Sequence, residues 1–430
     1  MTTARTAPPG VRIRMYQVGF GDCFLLTFTY RKPQRPRHVL IDFGTTETPG
    51  GSTKALLASI AANIRDTVGS DPFAVVATHR HTDHVAGFDP GIKGDGPGTI
   101  IAALKPTWVI QPWTEQPDLA VEAEAPPGAK GMAARQETLA SLHDIARHIV
   151  ERDLPLLRPA LGATATMAQL AFIGQDNITN ARAVKNLMTM GRNDYVHAGK
   201  ATKLQTFLPG VKVHVLGPPT VRQQADVAKE RASDPDEFWQ MQALALGTAS
   251  ATGYTAALFG DHPQVSGNRA PPWARWTVQA MRQSRGDQLL GLVRSLDKAM
   301  NNTSVVLLFE FGKHKLLFPG DAQIENWEYA LAHPTFAPLL RDVSVYKVGH
   351  HGSRNATPKT LWNRWFPDDP HVPANTSMTS MMSTRPGKHG DEKLGTEVPR
   401  ESLVEALKKK TRLVATDEMG DAPFIDEMFN

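Results

Sequence analysis

The stretch Ala77-Thr-His-Arg-His-Thr-Asp-His-Val-Ala-Gly-Phe88 puts three histidines and an aspartate within six residues, directly after the apolar run Phe73-Ala-Val-Val-Ala77. The apolar run reads as a buried strand and the histidine run as the loop at its end. Neutral imidazoles and carboxylates are the donors that hold zinc, manganese or iron, and a strand end lets neighbouring side chains splay toward a shared point. A lone histidine is usually a surface residue or a satisfied core residue. Four metal-competent groups in so short a window are not explained that way.

Outward from this loop the chain is ordinary. It has 430 residues, 41% of them hydrophobic, with Lys+Arg 47 against Asp+Glu 43 and a net charge of +4. That composition can bury a sizeable core, in one elaborated domain or in two, and so mild a basicity identifies no partner. The single cysteine, Cys23, excludes an internal disulfide. The first ten residues lack the apolar core of a signal peptide, and no apolar run is long enough to span a bilayer. The expectation is a cytoplasmic protein that makes no membrane contact.

Alternation of apolar and polar residues predicts strands over Val11–Val18 and Cys23–Tyr30, joined through the turn Gly19-Phe-Gly-Asp22. A basic hairpin tip, Arg31-Lys-Pro-Gln-Arg-Pro-Arg37, leads to a strand at His38–Asp42, and a helix capped by Ser52 or Thr53 carries Leu56, Leu57, Ile60 and Ile64 on one face. From about Thr114 to Met300 the pattern is mostly helical and irregular, with apolar stripes at Leu139 to Ile149 and Leu289 to Met300 and one clear strand at Val211–Leu216. Strands return at Ser304–Phe311, Lys315–Phe318, Val343–Val348 and Leu413–Ala415. The Ser/Thr/Met/Pro-rich segment Pro373–Pro386 reads as a mobile loop.

The His-x-His-x-Asp-His spacing, with Asp42-Phe-Gly44 before it, strongly resembles the metallo-β-lactamase superfamily. Further segments resemble the soluble hydrolase domain of ComEC-type DNA-uptake proteins: Val18-Gly-Phe-Gly-Asp-Cys-Phe-Leu-Leu26, Asn301-Asn-Thr-Ser-Val-Val-Leu307, Leu317-Phe-Pro-Gly-Asp321 and Lys347-Val-Gly-His-His-Gly-Ser353. The resemblance implies one hydrolase domain over residues 1–430. It would be an α/β protein, a four-layer αββα sandwich, with a long, mostly helical, family-specific insertion at 115–300. It also implies that His79 and His81 bind a first metal ion, that Asp83 and His84 bind a second, and that Asp321 bridges both. Either His350 or His351 completes the second site. Alignment favours His351, which leaves His350 facing the substrate or leaving group. Relatives with two full sites carry another histidine after the strand matching Val211–Leu216, where this chain reads Leu-Gly-Pro-Pro; His214, on the strand itself, reads as structural, and no motif supports His197 or His262 as a substitute.

The implied cofactor is zinc, one or two ions, with manganese an alternative. Such ions lower the pKa of water from ~16 toward ~7, and Asp83 would orient the resulting nucleophile as well as bind metal. Lys347, expected to be catalytic, flanks the double histidine with Ser353 and Arg354. A cation beside a hydroxyl suits a phosphate better than a neutral amide. Ser353, Arg354 and Asn301 are the expected substrate contacts. The function expected is a phosphodiesterase or nuclease acting on nucleic acid or a nucleotide. Hydrolysis of a small ester, thioester or lactam, or a metal-containing binding or regulatory module without turnover, remain alternatives.

Overall fold

The computed structural model describes residues 7–47, 52–116, 181–220, 222–224, 301–353, 357–367, 371, 374–375, 377–387 and 397–430. All of them fall in one compact unit drawn from residues 1–118, 179–224 and 300–430. The two apolar stripes expected at Leu139 to Ile149 and Leu289 to Met300, with most of the expected insertion, lie outside the described residues.

The unit is mixed α/β with two mixed sheets. The first contains β1 (Gly10–Tyr16), β2 (Cys23–Thr29), β3 (Arg37–Phe43), β4 (Phe73–Val76), β5 (Trp108–Pro112), β6 (Arg192–Val196) and β13 (Phe424–Phe429), in the order β13-β1-β2-β3-β4-β5-β6. The second contains β7 (Lys212–Gly217), β8 (Val306–Phe311), β9 (His314–Phe318), β10 (Val345–Lys347), β11 (Thr379–Met382) and β12 (Arg412–Ala415), in the order β12-β11-β10-β9-β8-β7. In each sheet antiparallel hairpins occupy one side and parallel strands the other: β3 to β6 run parallel, as do β9 to β12.

The period-2 pattern separates two faces on each strand. Val11, Ile13, Phe24, Leu26, Val39 and Ile41 from the first sheet share a core with Leu307, Phe309, Leu316, Phe318 and Val345 from the second, so the sheets face each other. The alternate residues Leu25, Leu40, Phe43 and Val75 pack on Leu57, Ile60 and Ile64 of α1 (Thr53–Val68), on Ile101 of α3 (Pro97–Ala103), which follows the short α2 (Thr82–Val85), and on Leu187 of α4 (Ala181–Thr189). Past α5 (Leu204–Phe207), the outer face of the second sheet, with Leu308, Leu317 and Tyr346, packs on Trp327 of α6 (Ile324–Ala332), Phe336 of α7 (Phe336–Leu339), Trp365 of α8 (Lys359–Trp365) and Leu407 of α9 (Glu401–Lys410). Each fully buried large apolar side chain contributes roughly 1.5–3 kcal/mol. Exposed ion pairs such as Lys54–Asp95 are screened by water and contribute little, so the three cores and not surface charge hold the sandwich together.

Two differences from the sequence reading matter for the site. Thr379–Met382, expected within a mobile loop, is a buried strand paired in parallel with β10 on one side and β12 on the other. Its Thr, Ser and Met residues masked it: Met381 fills the inter-sheet core and Met382 the outer one, while Ser380 is fully buried. Residues 181–220, within the stretch expected as an insertion, contribute α4, β6 and β7 to the sandwich. Among the described residues no helix is long and apolar enough to cross a membrane.

Candidate metal centre

The parallel strands β3 and β4 of one sheet and β9, β10 and β11 of the other deliver their C-terminal ends, with the loops that follow, to one cluster of polar side chains. Crevices at such strand ends are where α/β sheets bind ligands. Asp42, at the end of β3, has φ 56, a left-handed value rare for a non-glycine residue. Its carboxylate accepts from Thr78 N at 2.7 Å, Thr78 Oγ1 at 2.7 Å and His84 Nδ1 at 2.8 Å. One carboxylate thus fixes both ends of the histidine loop.

Two glycines let the neighbouring turns reach that loop. A Cβ on Gly44 would lie 2.5 Å from the backbone of Asp83 and His84, and one on Gly21 would lie 2.7 Å from Asp83 O. Next to Gly21, Asp22 N donates to Asp83 O at 3.0 Å, and Gly44 N returns to Asp22 O at 3.1 Å. The segments Gly19-Phe-Gly-Asp22 and Asp42-Phe-Gly44 are therefore the floor on which the loop rests.

Asp83, His84, Asp321 and His351 each bring one donor atom within 4.8 Å of the others, and all four are buried. His84 Nε2 lies 3.1 Å from Asp321 Oδ2, and His351 Nε2 lies 2.8 Å from Asp83 Oδ2. The outward nitrogens are committed elsewhere: His351 Nδ1 lies 3.0 Å from the carbonyl of Ser383, which can only accept, and His84 Nδ1 meets Asp42. Both rings thus carry a proton on Nδ1 and turn Nε2 inward, the arrangement that orients metal-binding histidines.

His351 adopts φ 53, ψ 22 and His350 φ 44, ψ 48, two consecutive left-handed residues. That conformation costs roughly 1–2 kcal/mol per residue, a strain found mainly at functional sites. It swings His351 into the tetrad, while the backbone N of His350 donates to Asp321 Oδ1 at 3.0 Å. Of the adjacent pair, His351 therefore joins the donor set and His350 does not.

The donor set fits a divalent cation. Asp22, Asp42, Asp83 and Asp321 are each at most 2% exposed. Among the described residues Lys347 is the one buried lysine or arginine touching them, so once the imidazoles are neutral, as ligation requires, four carboxylates face one fixed cation. Asp83 Oδ1 is buried without a hydrogen-bond donor. Burial opposes charge on His84, yet Asp321, Asp83 and Asp42 outweigh it and hold the imidazole well above its usual pKa; His351 is raised in the same way by Asp321, Asp83 and Asp22. Burial likewise favours a neutral Asp321, but His84, Lys347 and His351 keep it ionised well below the usual carboxylate range.

These directions make metal binding a proton-releasing event. His84, held well above its usual value, carries a second proton at neutral pH in the metal-free protein, and ligation through Nε2 requires it to lose that proton; His351 is raised in the same direction. Metal binding at neutral pH is expected to release at least the His84 proton. Calorimetry in buffers of different ionisation enthalpy measures the number; zero would contradict the assignment of His84 as a ligand.

The remaining predicted residues are placed as follows. His79 Nε2 and His81 Nδ1 lie 3.0 Å apart, both rings buried, with burial holding both imidazoles neutral and His81 down to about 4. Lys347 is 2% exposed; it ion-pairs with Asp22, reaches Asp321 Oδ1 at 3.2 Å and Gly320 O at 3.1 Å, and so is spent inside the site and not turned to a substrate. Ser353 is buried with Oγ lacking a hydrogen-bond partner, and Asn301 is fully buried in the turn before β8. Arg354 and His262 lie outside the described residues. His214 sits on β7, 3.8 Å from Glu310, and His197 Nδ1 donates locally to Ala198 O at 2.9 Å; neither joins the cluster.

No family model matches the chain. It is 35% identical over 81 residues to Recombination protein 2 of Haemophilus influenzae, a stretch that is 19% of this chain. The match spans 10% of that protein's length.

Sequence reading assigned no site role to Asp22, Asp42 or Glu115. The first two sit in quoted motifs, and their adjacency to glycines that permit close approach was the available signal. Glu115 had none: it pairs with Arg80, inside the histidine loop, through Arg80 Nε at 2.8 and 3.0 Å, a contact between residues 35 apart.

Proposed function

We propose that this chain is a metal-dependent hydrolase of the metallo-β-lactamase type, acting on a phosphodiester of nucleic acid or a nucleotide. The observation that carries the metal reading is the convergence of Asp83, His84, Asp321 and His351, four buried donors from three separate loops, within 4.8 Å. Two facing sheets with helices against both outer faces, and donors at strand ends, support the fold assignment. Two imidazoles and two carboxylates suit zinc, and manganese takes the same set.

When bound, a divalent cation supplies Lewis acidity that makes water nucleophilic near neutral pH. The chain's own part is orientation and proton handling. Asp83 uses Oδ2 toward His351 and keeps Oδ1 without a donor, so Oδ1 can accept the proton of an attacking water. His350, which burial keeps neutral against the pull of Asp321, has a buried Nδ1 without a hydrogen-bond partner beside the cluster, placed to meet a leaving group.

The nucleic-acid substrate class draws on the relative's name, since recombination works on nucleic acid. A small ester, thioester or lactam is the second reading, and one observation favours it. Lys347, the cation expected to meet the phosphate, is spent on Asp22 and Asp321, and in the basic hairpin tip Arg35 pairs with Asp71 at 2.8 Å while Arg37 donates to the carbonyl of Phe207. Turnover of bis(p-nitrophenyl) phosphate and p-nitrophenyl acetate, before and after chelation, separates them. Chelator-sensitive cleavage of the diester with little ester cleavage is expected; the opposite ratio would replace the phosphodiester reading with the small-molecule one.

A further inference from the structure

Resting on the metal reading above, we infer that Ser383 and Thr384, at the end of β11, are the positioning residues that hold His351 against Asp83. His351 adopts φ 53, ψ 22, a left-handed backbone that an L-residue does not hold unaided. Two bonds from the end of β11 keep it there. The carbonyl of Ser383 accepts from His351 Nδ1 at 3.0 Å, which sets the ring, and Thr384 Oγ1 donates to the carbonyl of His351 at 3.0 Å, which sets the backbone. His351 Nε2 then reaches Asp83 Oδ2 at 2.8 Å.

The clasp is itself anchored on both sides. One hydroxyl closes both backbone groups of Thr384: Thr416 Oγ1 accepts from Thr384 N at 2.8 Å and donates to Thr384 O at 2.9 Å. Thr416 follows β12, and its carbonyl accepts from Gln17 Nε2 at 3.2 Å, just past β1. Ser383 Oγ donates to the carbonyl of Gly21, and the next residue, Asp22, donates its N to Asp83 O at 3.0 Å. The same two residues thus touch His351 from the second sheet and the turn that carries Asp83 in the first. Ser383, Thr384 and Thr416 are at most 2% exposed, so water cannot replace these bonds. Without the Thr384 hydroxyl the His351 peptide is free to relax toward the right-handed region, which carries the imidazole away from Asp83.

The test is metal affinity in variants of Thr384. Metal-free full-length wild type, Thr384→Val, Thr384→Ala and Thr384→Ser are titrated with Zn²⁺ against a competing chelator to give Kd, and circular dichroism checks each fold. Valine keeps the shape of threonine without the hydroxyl; serine keeps the hydroxyl without the methyl. Bonds that orient a metal ligand are worth about 10- to 100-fold in metal affinity, so Kd is expected to rise by that factor in Thr384→Val and Thr384→Ala and to return close to wild type in Thr384→Ser. A hydroxyl with a structural role alone would lower the unfolding temperature and leave the Kd of the folded protein unchanged. A folded Thr384→Val with Kd within about threefold of wild type, or a Thr384→Ser as weak as Thr384→Val, would overturn the inference while leaving the metal reading intact. Failure of both Thr384→Val and Thr384→Ala to fold would also overturn it, by making the hydroxyl a requirement of the sandwich. A wild type that binds no Zn²⁺ would overturn the metal reading and the positioning role with it.

Discussion

Changing Asp83 and His84 together to alanine is expected to leave a folded protein that retains no divalent metal and has lost hydrolytic turnover. Both residues sit in the tetrad and neither packs in the three apolar cores, so the sandwich keeps its main source of stability. In the metal-free protein Asp83 is ionised and His84 protonated, so their joint removal leaves the net charge of the buried cluster unchanged. Two of four donors are gone, and the remaining Asp321 and His351 cannot form a closed site. Elemental analysis and thermal unfolding read the two halves of this expectation. Full metal retention in the double variant would show that the ion, if any, sits elsewhere.

Lys347→Met should be among the most destabilising single substitutions in the chain. It leaves Asp22 and Asp321, both at most 1% exposed, without their cation. Breaking a buried pair from one side costs about 3–5 kcal/mol because the remaining charge is uncompensated, a large part of the total stability of about 5–15 kcal/mol that is usual for a domain. Adding Asp22→Asn removes one of the stranded charges and should recover part of the loss. Urea unfolding of the wild type, the single variant and the double variant gives both numbers. A cost below about 1 kcal/mol for Lys347→Met would mean the lysine is solvated and not the fixed cation described here.

The fold was legible where hydrophobic periodicity was strong and obscure where polar residues are buried by strands on both sides. The hairpin β1–β2, the strands β3, β4, β8 and β9, and helix α1 follow directly from alternating or helical spacing. Thr379–Met382 did not, because no apolar run marks it and its burial comes wholly from partners 34 residues upstream and 33 downstream: Val345 and Arg412 flank Thr379. Arg192–Val196 opens on the polar run Arg-Asn-Asp and carries hydrophobic residues only at Tyr195 and Val196, and its Asp194 is buried against Thr202 Oγ1 and the backbone N of Lys203.

The ligand loop was the most readable part of the site, since the chemistry is written in consecutive residues. Its second half, Asp321 and His351, came from Gly-Asp and His-His-Gly signals at other strand ends. The polarity of Lys347 was misleading: a lysine beside histidines suggests an anion-binding group, and only the three-dimensional proximity of Asp22, 325 positions earlier in the chain, reveals it as an internal counter-charge. In the basic hairpin tip Arg35 pairs with Asp71 and Arg37 donates to the carbonyl of Phe207, contacts that the sequence does not announce.

The most direct measurement is an anomalous-difference map from a crystal of the zinc-loaded protein, recorded on both sides of the zinc absorption edge. A single edge-dependent peak among Asp83, His84, Asp321 and His351 is the predicted result. A map without a peak there, or with its only peak on residues outside that set, would contradict the account.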